Sequence, residues 1–302
     1  MSIKYILREH IDEDKYNECI TISKQSLIYG YSWYLDIVCD QWDALILDDY
    51  VAVMPIPWRK KYGITYVYPP LWLLQLGIFS KNAAYPYQDF LNTIQEKFKF
   101  IELRLNAENI VKNKKLRCVD KQFQELEMTQ AYDSIRDAYQ SDRKKDLRRA
   151  EHSQLTIEWG GEPKELIQLF RHNVGKRIPE IKEQDYLNLK YLIRNCTEKN
   201  LGEICAVYQE NQIVAAAFFL KHQEKITILC SSTDFSNRKN GANTFLIDQA
   251  IQRYLNKYQT FNFGGSTIQS IANYFVSFGA NTYKYPLMKV NRLPFLFRLF
   301  KS

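Results

Sequence analysis

Residues 203–231 read EICAVYQENQIVAAAFFLKHQEKITILCS, and their pattern decides the fold. Apolar and β-branched runs at Glu203–Tyr208, Ile213–Lys221 and Lys225–Ser231 are separated by Glu210-Asn211 and His222-Gln223, polar breaks of hairpin length. The spacing predicts three consecutive antiparallel strands, a meander. Downstream, a glycine-containing loop leads into a helix over Ala242–Tyr258, a strand at Thr260–Phe263, a helix at Thr267–Ser277 and a last strand near Tyr283–Val290. Upstream lie helical segments at Tyr132–Tyr139 and Ser141–His152, then a strand at Leu155–Trp159. Gly160-Gly161-Glu162-Pro163 breaks the chain there and starts a helix toward Lys176, and a further helix covers Glu183–Glu198. This order predicts an α/β (α+β) domain with a mixed, mainly antiparallel sheet flanked by helices.

The first half has a related order. A strand-like run at Lys4–Arg8 precedes a helix from Asp12 to Ser23, capped by Asp12 or Asp14, and Tyr31–Cys39 reads as a short aromatic helix. Ala44–Leu47 and Val51–Trp58 flank the turn Asp48-Asp49-Tyr50; a strand at Ile64–Tyr68, a helix from Pro86 to Lys99 and a strand at Phe100–Leu105 follow. The two halves therefore read as two copies of one fold, residues 1–135 and 136–302, with a ligand cleft expected between them. A length of 302 residues suits two domains, and 46% apolar residues supply their cores.

A net charge of +7 favours anionic partners such as a phosphorylated cofactor, nucleic acid or a membrane surface. The six cysteines form no CxxC pair and sit mostly in apolar runs, so they read as reduced core residues. Four scattered histidines have no metal-ligand spacing, and no metal is expected. The N-terminus is charged and lacks an apolar export segment, and no run approaches the roughly 18 apolar residues of a membrane span. The expected location is the cytoplasm.

Ser231–Asn243, SSTDFSNRKNGAN, lies between a strand and a long helix. Free N–H groups at the helix start, the freedom of Gly241 and the charges of Arg238 and Lys239 suit a pyrophosphate there. Ser231, Ser232, Thr233, Arg238, Lys239, Asn240, Gly241, Ala242 and Asn243 are thus the candidate cofactor contacts; an ordinary strand-to-helix turn is the plain alternative. A second turn, Phe261-Asn262-Phe263-Gly264-Gly265-Ser266, offers Asn262 and Ser266 as polar groups, Ser266 also as an N-cap. The run Arg143-Lys144-Lys145-Asp146-Leu147-Arg148-Arg149 puts cations on helix faces, as phosphate contacts or as a solvated surface. At the end of the helix before Lys176, His172 is a candidate base, with Asn173 and Lys176 as candidate substrate contacts. The apolar and basic Leu293–Phe300 suits peripheral membrane contact or packing on the protein itself.

Together SDRKKDLRRAEHSQLTIEW, FNFGGSTIQSIANYFVSFGAN and the proline-punctuated MPIPWRKKYGITYVYPPLWLLQLGIFS resemble the Fem-type family, tandem-GNAT aminoacyltransferases and related acyltransferases of bacterial envelope synthesis. The loop from Arg238 to Asn243 is similar to the GNAT donor loop at Arg238 and Gly241 and departs from it at Asn243. Asn262 stands where the family's late turn carries Asp, and a basic residue of the last helix is replaced around Phe275. The resemblance implies acyl or aminoacyl transfer to an amine, by direct attack on a thioester or ester carbonyl. Acyl-CoA (acetyl-CoA) is the donor implied first, and the acceptor is an amine on a sugar, peptide or envelope precursor. Backbone amides at Ser231–Thr233 are the implied carbonyl contacts, with Asp234, Tyr283 and His172 as candidate proton acceptors. Trp33, Tyr34, Arg59 and Tyr68 are the implied acceptor contacts from the first half. Two rival readings follow: an aminoacyl-tRNA-dependent transferase, favoured by the basic helix, and a non-catalytic binding protein, favoured by Asn243, Asn262 and the lost basic residue. DNA is not among the expected partners.

Overall fold

The computed structural model describes residues 2–109, 118–236, 238–265 and 268–294, without the side chain of Arg238. In chain order its elements begin with β1 (Ile3–Leu7), α1 (Glu13–Ile22), α2 (Ser32–Val38), β2 (Gln41–Leu47), β3 (Ala52–Lys61), β4 (Ile64–Val67) and β5 (Phe79–Ser80). Next come α3 (Tyr87–Lys97), β6 (Phe100–Arg104), β7 (Cys118–Glu127), α4 (Tyr132–Asp137), α5 (Ser141–His152), β8 (Thr156–Trp159), α6 (Pro163–His172) and α7 (Glu183–Glu198). The chain closes with β9 (Gly202–Gln209), β10 (Gln212–His222), β11 (Lys225–Thr233), α8 (Ala242–Tyr254), β12 (Thr260–Asn262), α9 (Gln269–Val276) and β13 (Asn281–Asn291). Among the described residues no helix is long and apolar enough to cross a membrane.

The chain forms two compact units, residues 1–121 with 284–302, and residues 122–283. The sequence reading instead divides the chain after residue 135. The difference has a local cause: the end of β7 pairs with β12, Glu125 opposite Asn262, and so joins the second unit ahead of α4. The end of β13 pairs with β6, Leu287 opposite Arg104, and returns to the first unit.

In the first unit the strands run β1-β2-β3-β4-β6-β13, with β5 beside β3. All pairs are antiparallel except β4 with β6. The expected turn Asp48-Asp49-Tyr50 forms, with Asp48 and Tyr50 at φ 48° and 56°. Asp12 caps α1 by accepting from the Lys15 amide at 3.2 Å. Tyr16, Cys19 and Ile20 of α1 and Tyr34 and Leu35 of α2 are fully buried, so both helices are held by their apolar faces.

In the second unit the order is β7-β12-β11-β10-β9-β8. The meander β9-β10-β11 is antiparallel as its spacing predicts. Its first turn places Glu210 and Asn211 at φ 49° and 66°, the left-handed pair whose twist fits a two-residue hairpin. Val214–Leu220 is buried throughout. Ala215, Ala217 and Phe219 pack toward Leu246, Ala250 and Ile251 of α8, and a Cβ on Gly202 would lie 2.3 Å from Phe218 on the opposite face. A strand covered on both faces explains why residues 213–220 are apolar at every position. Helix α8 stops at Tyr254, short of the expected Tyr258: Leu255 leaves the helix at ψ 142°, and Asn256 follows left-handed at φ 63°.

Helix α5 crosses the start of α8 at very short range. Gly241 is the α8 N-cap at φ 82°, and a Cβ there would lie 2.1 Å from the Asp146 carbonyl oxygen and 3.2 Å from the Ala150 nitrogen. Side chains reinforce the crossing. Asp146 accepts from Thr244 Oγ1 at 3.1 Å and pairs with Arg143 at 3.1 Å, and Arg143 lies 4.3 Å above the Tyr274 ring. Deeper in the unit, Asp248 is 3% exposed and accepts from Tyr132 and Tyr139. Burial raises its pKa against those bonds.

Two outcomes follow from this packing. Gly241→Ala should lower stability by about 3 kcal/mol or more, since both the left-handed backbone and the α5 carbonyl oppose a side chain. Gly160→Ala, also left-handed at φ 90° but with nothing within 4 Å of the new Cβ, should cost only about 1–2 kcal/mol; urea unfolding of both variants checks the contrast. The second outcome concerns His222, whose burial lowers its pKa to about 4 from 6.5. The unfolded chain takes up that proton below about pH 6.5 while the folded chain resists it, so stability falls as pH drops from 6.5 toward 4. Unfolding at about pH 4.5 and 7.5 should differ by a contribution on the order of 2 kcal/mol that His222→Gln removes.

Candidate functional site

β11 is paired on one side along its whole length and on the other only at its start. It follows β10 from Lys225 opposite His222 to Thr233 opposite Ala215. It pairs in parallel with β12 only through Lys225↔Thr260, Ile226↔Phe261 and Thr227↔Asn262. The register with β10 shifts at this level: Ile228 faces Phe219 and Cys230 faces Phe218, leaving Leu229 as an inserted residue. Such a bulge bends its strand and re-aims the residues beyond it. Meanwhile the chain after β12 stays with β7, where the Phe263 amide donates to the Gln124 carbonyl at 3.0 Å. The strands therefore part from Ile228 onward, and no described strand lies between 228–233 and 263–265.

Ser231, Ser232 and Thr233 line one edge of this parting. Ser231 and Thr233 are half-buried, opposite Ala217 and Ala215. Ser232 is buried and donates its hydroxyl to the Leu169 carbonyl of α6 at 3.2 Å, so that side chain serves packing. Cys230 is no nucleophile, because burial pushes its thiol up to about 12.

The loop after β11 is organised by its own side chains. Asp234 accepts from the Ser236 amide at 3.0 Å and from its hydroxyl at 2.7 Å. Asn173, at the end of α6, accepts from the Phe235 amide at 2.8 Å and donates to Leu169 at 2.9 Å. Both residues thus hold the loop in place. Arg238–Asn240 forms one short turn, in which Asn240 accepts from the Ala242 amide at 3.0 Å and donates to Gln209 at 2.8 Å. Asn243 donates to the Tyr274 hydroxyl at 2.9 Å. Lys239 is exposed. The space that Gly241 leaves is filled by the α5 backbone, so close helix crossing accounts for the glycine.

Where the strands begin to part, a polar group gathers on β7 and β12. Asn262 donates to Glu125 Oε1 at 2.9 Å and accepts from the Gly264 amide at 2.7 Å, and Lys225 donates to the same Glu125 oxygen at 2.9 Å. Gly264 and Gly265 have φ 81° and 77°. A Cβ on Gly265 would meet the Gln122 carbonyl and Phe123 at 2.8 Å. Tyr283 is 40% exposed and stacks on Phe123 at 5.6 Å. Sequence reading missed Glu125 because it missed β7. The run CVDKQFQELE carries four charges, at Asp120, Lys121, Glu125 and Glu127, and lacks the β-branched alternation of a strand; Phe123 and Leu126 were its available apolar signals.

The other expected residues are dispersed. His172 and Lys176 are exposed at and just after the end of α6. In the first unit Tyr34 is fully buried and donates to the Trp72 carbonyl at 2.5 Å, with Trp33 edge-on at 5.5 Å. That commitment removes Tyr34 from any substrate contact. Arg59 lies 3.9 Å above the Tyr68 ring and donates to Asp40 at 2.9 Å, and burial raises the Tyr68 pKa. Ser266 and residues 295–300 of the basic C-terminal run lie outside the described residues. On α5, Lys145, Arg148 and Arg149 are exposed; Lys145 and Arg149 have acidic partners within the helix, Asp142 at 3.7 Å and Asp146 at 3.0 Å. Among the described residues no cluster of His, Cys, Asp and Glu could hold a metal.

Residues 138–285 match the family model described as "Acetyltransferase (GNAT) domain". No curated protein matches the sequence. Among solved structures, FemX is similar over 100% of both chains, with a TM-score of 0.65 at 11% identity. The C-terminal domain of a lysylphosphatidylglycerol synthetase from Agrobacterium fabrum has a TM-score of 0.60 at 12% identity, covering 93% of this chain and 92% of that one. A tandem GNAT protein from the clavulanic acid biosynthesis pathway has a TM-score of 0.53 at 6% identity, covering 97% and 99%. At such identities the likeness is one of fold. The bulged and parting β11, the helix that follows it and the parallel β12 all fall inside the matched segment. Residues 138–285 are therefore a GNAT domain, carried in a chain of the Fem-type, tandem-GNAT fold.

Proposed function

We propose that this chain is an N-acyltransferase that moves an acyl group from acyl-CoA to an amine on a sugar, peptide or envelope precursor in the cytoplasm. The observation that carries this reading is the parting of β11 from β12 at the Leu229 bulge. Beyond it, the backbone of Ser231–Thr233 has no strand neighbour on the β12 side among the described residues. An extended donor laid along that edge would take the place of the missing strand, and its carbonyl would meet backbone donors fixed before the reaction begins. Direct attack by the amine then needs orientation and proton removal, with no covalent enzyme intermediate. The exposed Lys239, with the Arg238–Asn240 turn before α8, is the nearest cationic segment for the donor's phosphates.

A second reading has its own support in α5, which exposes Lys145, Arg148 and Arg149. An aminoacyl-tRNA donor would use such a face for phosphates, and binding would fall steeply with salt.

Calorimetric titration with acetyl-CoA separates the two. The first reading expects saturable binding that Ser231→Trp abolishes by filling the parting, with the thermal midpoint moving by no more than about 4 °C. Wild-type protein that binds no acetyl-CoA at millimolar concentration sinks the acyl-CoA reading. Salt-sensitive binding of aminoacyl-tRNA, weakened about tenfold or more by Arg148→Glu with Arg149→Glu, would then support the second.

A further inference from the structure

Glu125 stands where the strands part, and no sequence pattern points to it. It faces Asn262 across the β7–β12 pair, and Asn262 faces Thr227, the last β11 residue before the strands separate. The Glu125 side chain is 11% exposed. Its Oε1 accepts from Lys225 Nζ and Asn262 Nδ2, both at 2.9 Å, while its Oε2 has no hydrogen bond among the described residues. The amide of Asn262 cannot turn over, because its own oxygen accepts from the Gly264 amide at 2.7 Å. One carboxylate oxygen is thus anchored twice, and the other is not.

Strand alternation puts Phe123 and Glu127 on the same face as Glu125. Tyr283 stacks on Phe123 at 5.6 Å. From β11 the charged group facing Glu125 is Lys225; β12 contributes the uncharged Thr260 and Asn262; its own strand contributes Glu127. Other proton acceptors are less well placed. Both oxygens of Asp234 hold Ser236, and His172 is exposed at the end of α6.

We propose that Glu125 is the proton acceptor in the transfer reaction; this rests on the acyl-transfer reading above. As the acceptor nitrogen uses its lone pair to form the new C–N bond, the carbonyl C–S bond breaks and its electron pair leaves with the sulfur. The proton released from nitrogen passes to Glu125 Oε2, and the thiolate takes a proton from water. Lys225 and Asn262 are positioning residues. They hold Oε1 through the two hydrogen bonds at 2.9 Å.

The test is thiol release from acetyl-CoA by the full chain between about pH 5 and 9, with acetyl-CoA affinity measured separately by calorimetry. The acceptor is aminoacetonitrile, a weakly basic primary amine. Glu125→Gln should lower kcat by about 100-fold or more and abolish the acidic limb of the profile, with acetyl-CoA affinity kept within about twofold. Glu125→Asp should recover part of the rate with the limb present. Lys225→Met, which frees the anchored oxygen, should lower kcat by about tenfold with acetyl-CoA affinity kept within about twofold. Glu125→Gln within about threefold of wild type, or slower with an unchanged profile, overturns the proposal. Wild-type protein that binds acetyl-CoA but releases no thiol overturns this step and leaves the donor reading standing. Protein that binds no acetyl-CoA fails the donor reading itself, and the step falls with it.

Discussion

One inserted residue in a β-strand sets the geometry on which the second unit depends. β11 must stay in register with β10 to keep Phe218 and Phe219 buried, yet it carries Leu229 as an extra position between Ile228 and Cys230. The resulting bend is tolerated because the neighbour on the other side, β12, is short and already held by β7. A flat, fully paired sheet would have satisfied more backbone bonds within itself and left no edge for a ligand. The strand is therefore stable as half of a ladder and available as the other half.

Around that parting, two kinds of contact divide the work. Above it, the crossing of α5 over α8 is made by backbone lying against backbone at Gly241, with Arg143, Asp146, Thr244 and Tyr274 closing the seam. Such a contact is rigid, since neither partner has a rotamer to change. At its base, Lys225, Asn262 and Glu125 meet through side chains, which can change rotamer. The first contact fixes where the helix begins; the second is the part of the site that can change its state.

Sequence periodicity carried most of the fold. The meander was legible because its apolar runs and hairpin breaks alternate cleanly, and Asp12, Pro163 and Asp48-Asp49-Tyr50 marked their caps and turns correctly. β7 was not legible, since a strand whose neighbours supply its burial need not advertise it by alternation. The missed strand hid Glu125 and moved the division of the chain. Ser231–Thr233 lie on β11 beyond its last pair with β12. Gly241 fitted a ligand loop in sequence, but a pattern of residue types does not say which neighbour fills the space a glycine leaves, and here it is a helix. Tyr34, Asp234 and Asn173 carry the polar groups of ligand contacts, yet each spends them on the protein's own backbone or loop.

The return of residues 284–302 to the first unit has a consequence for synthesis. β6 emerges from the ribosome before its partner β13, and the whole second unit is translated between them. The first unit is thus interrupted by an insertion and cannot complete its sheet until the insertion has emerged. During that interval the edge of β6 is open, an invitation to pair with another nascent chain. The second unit, contiguous from 122 to 283, has no such wait. The contiguous second unit can close as soon as it has emerged, whereas the first waits for β13.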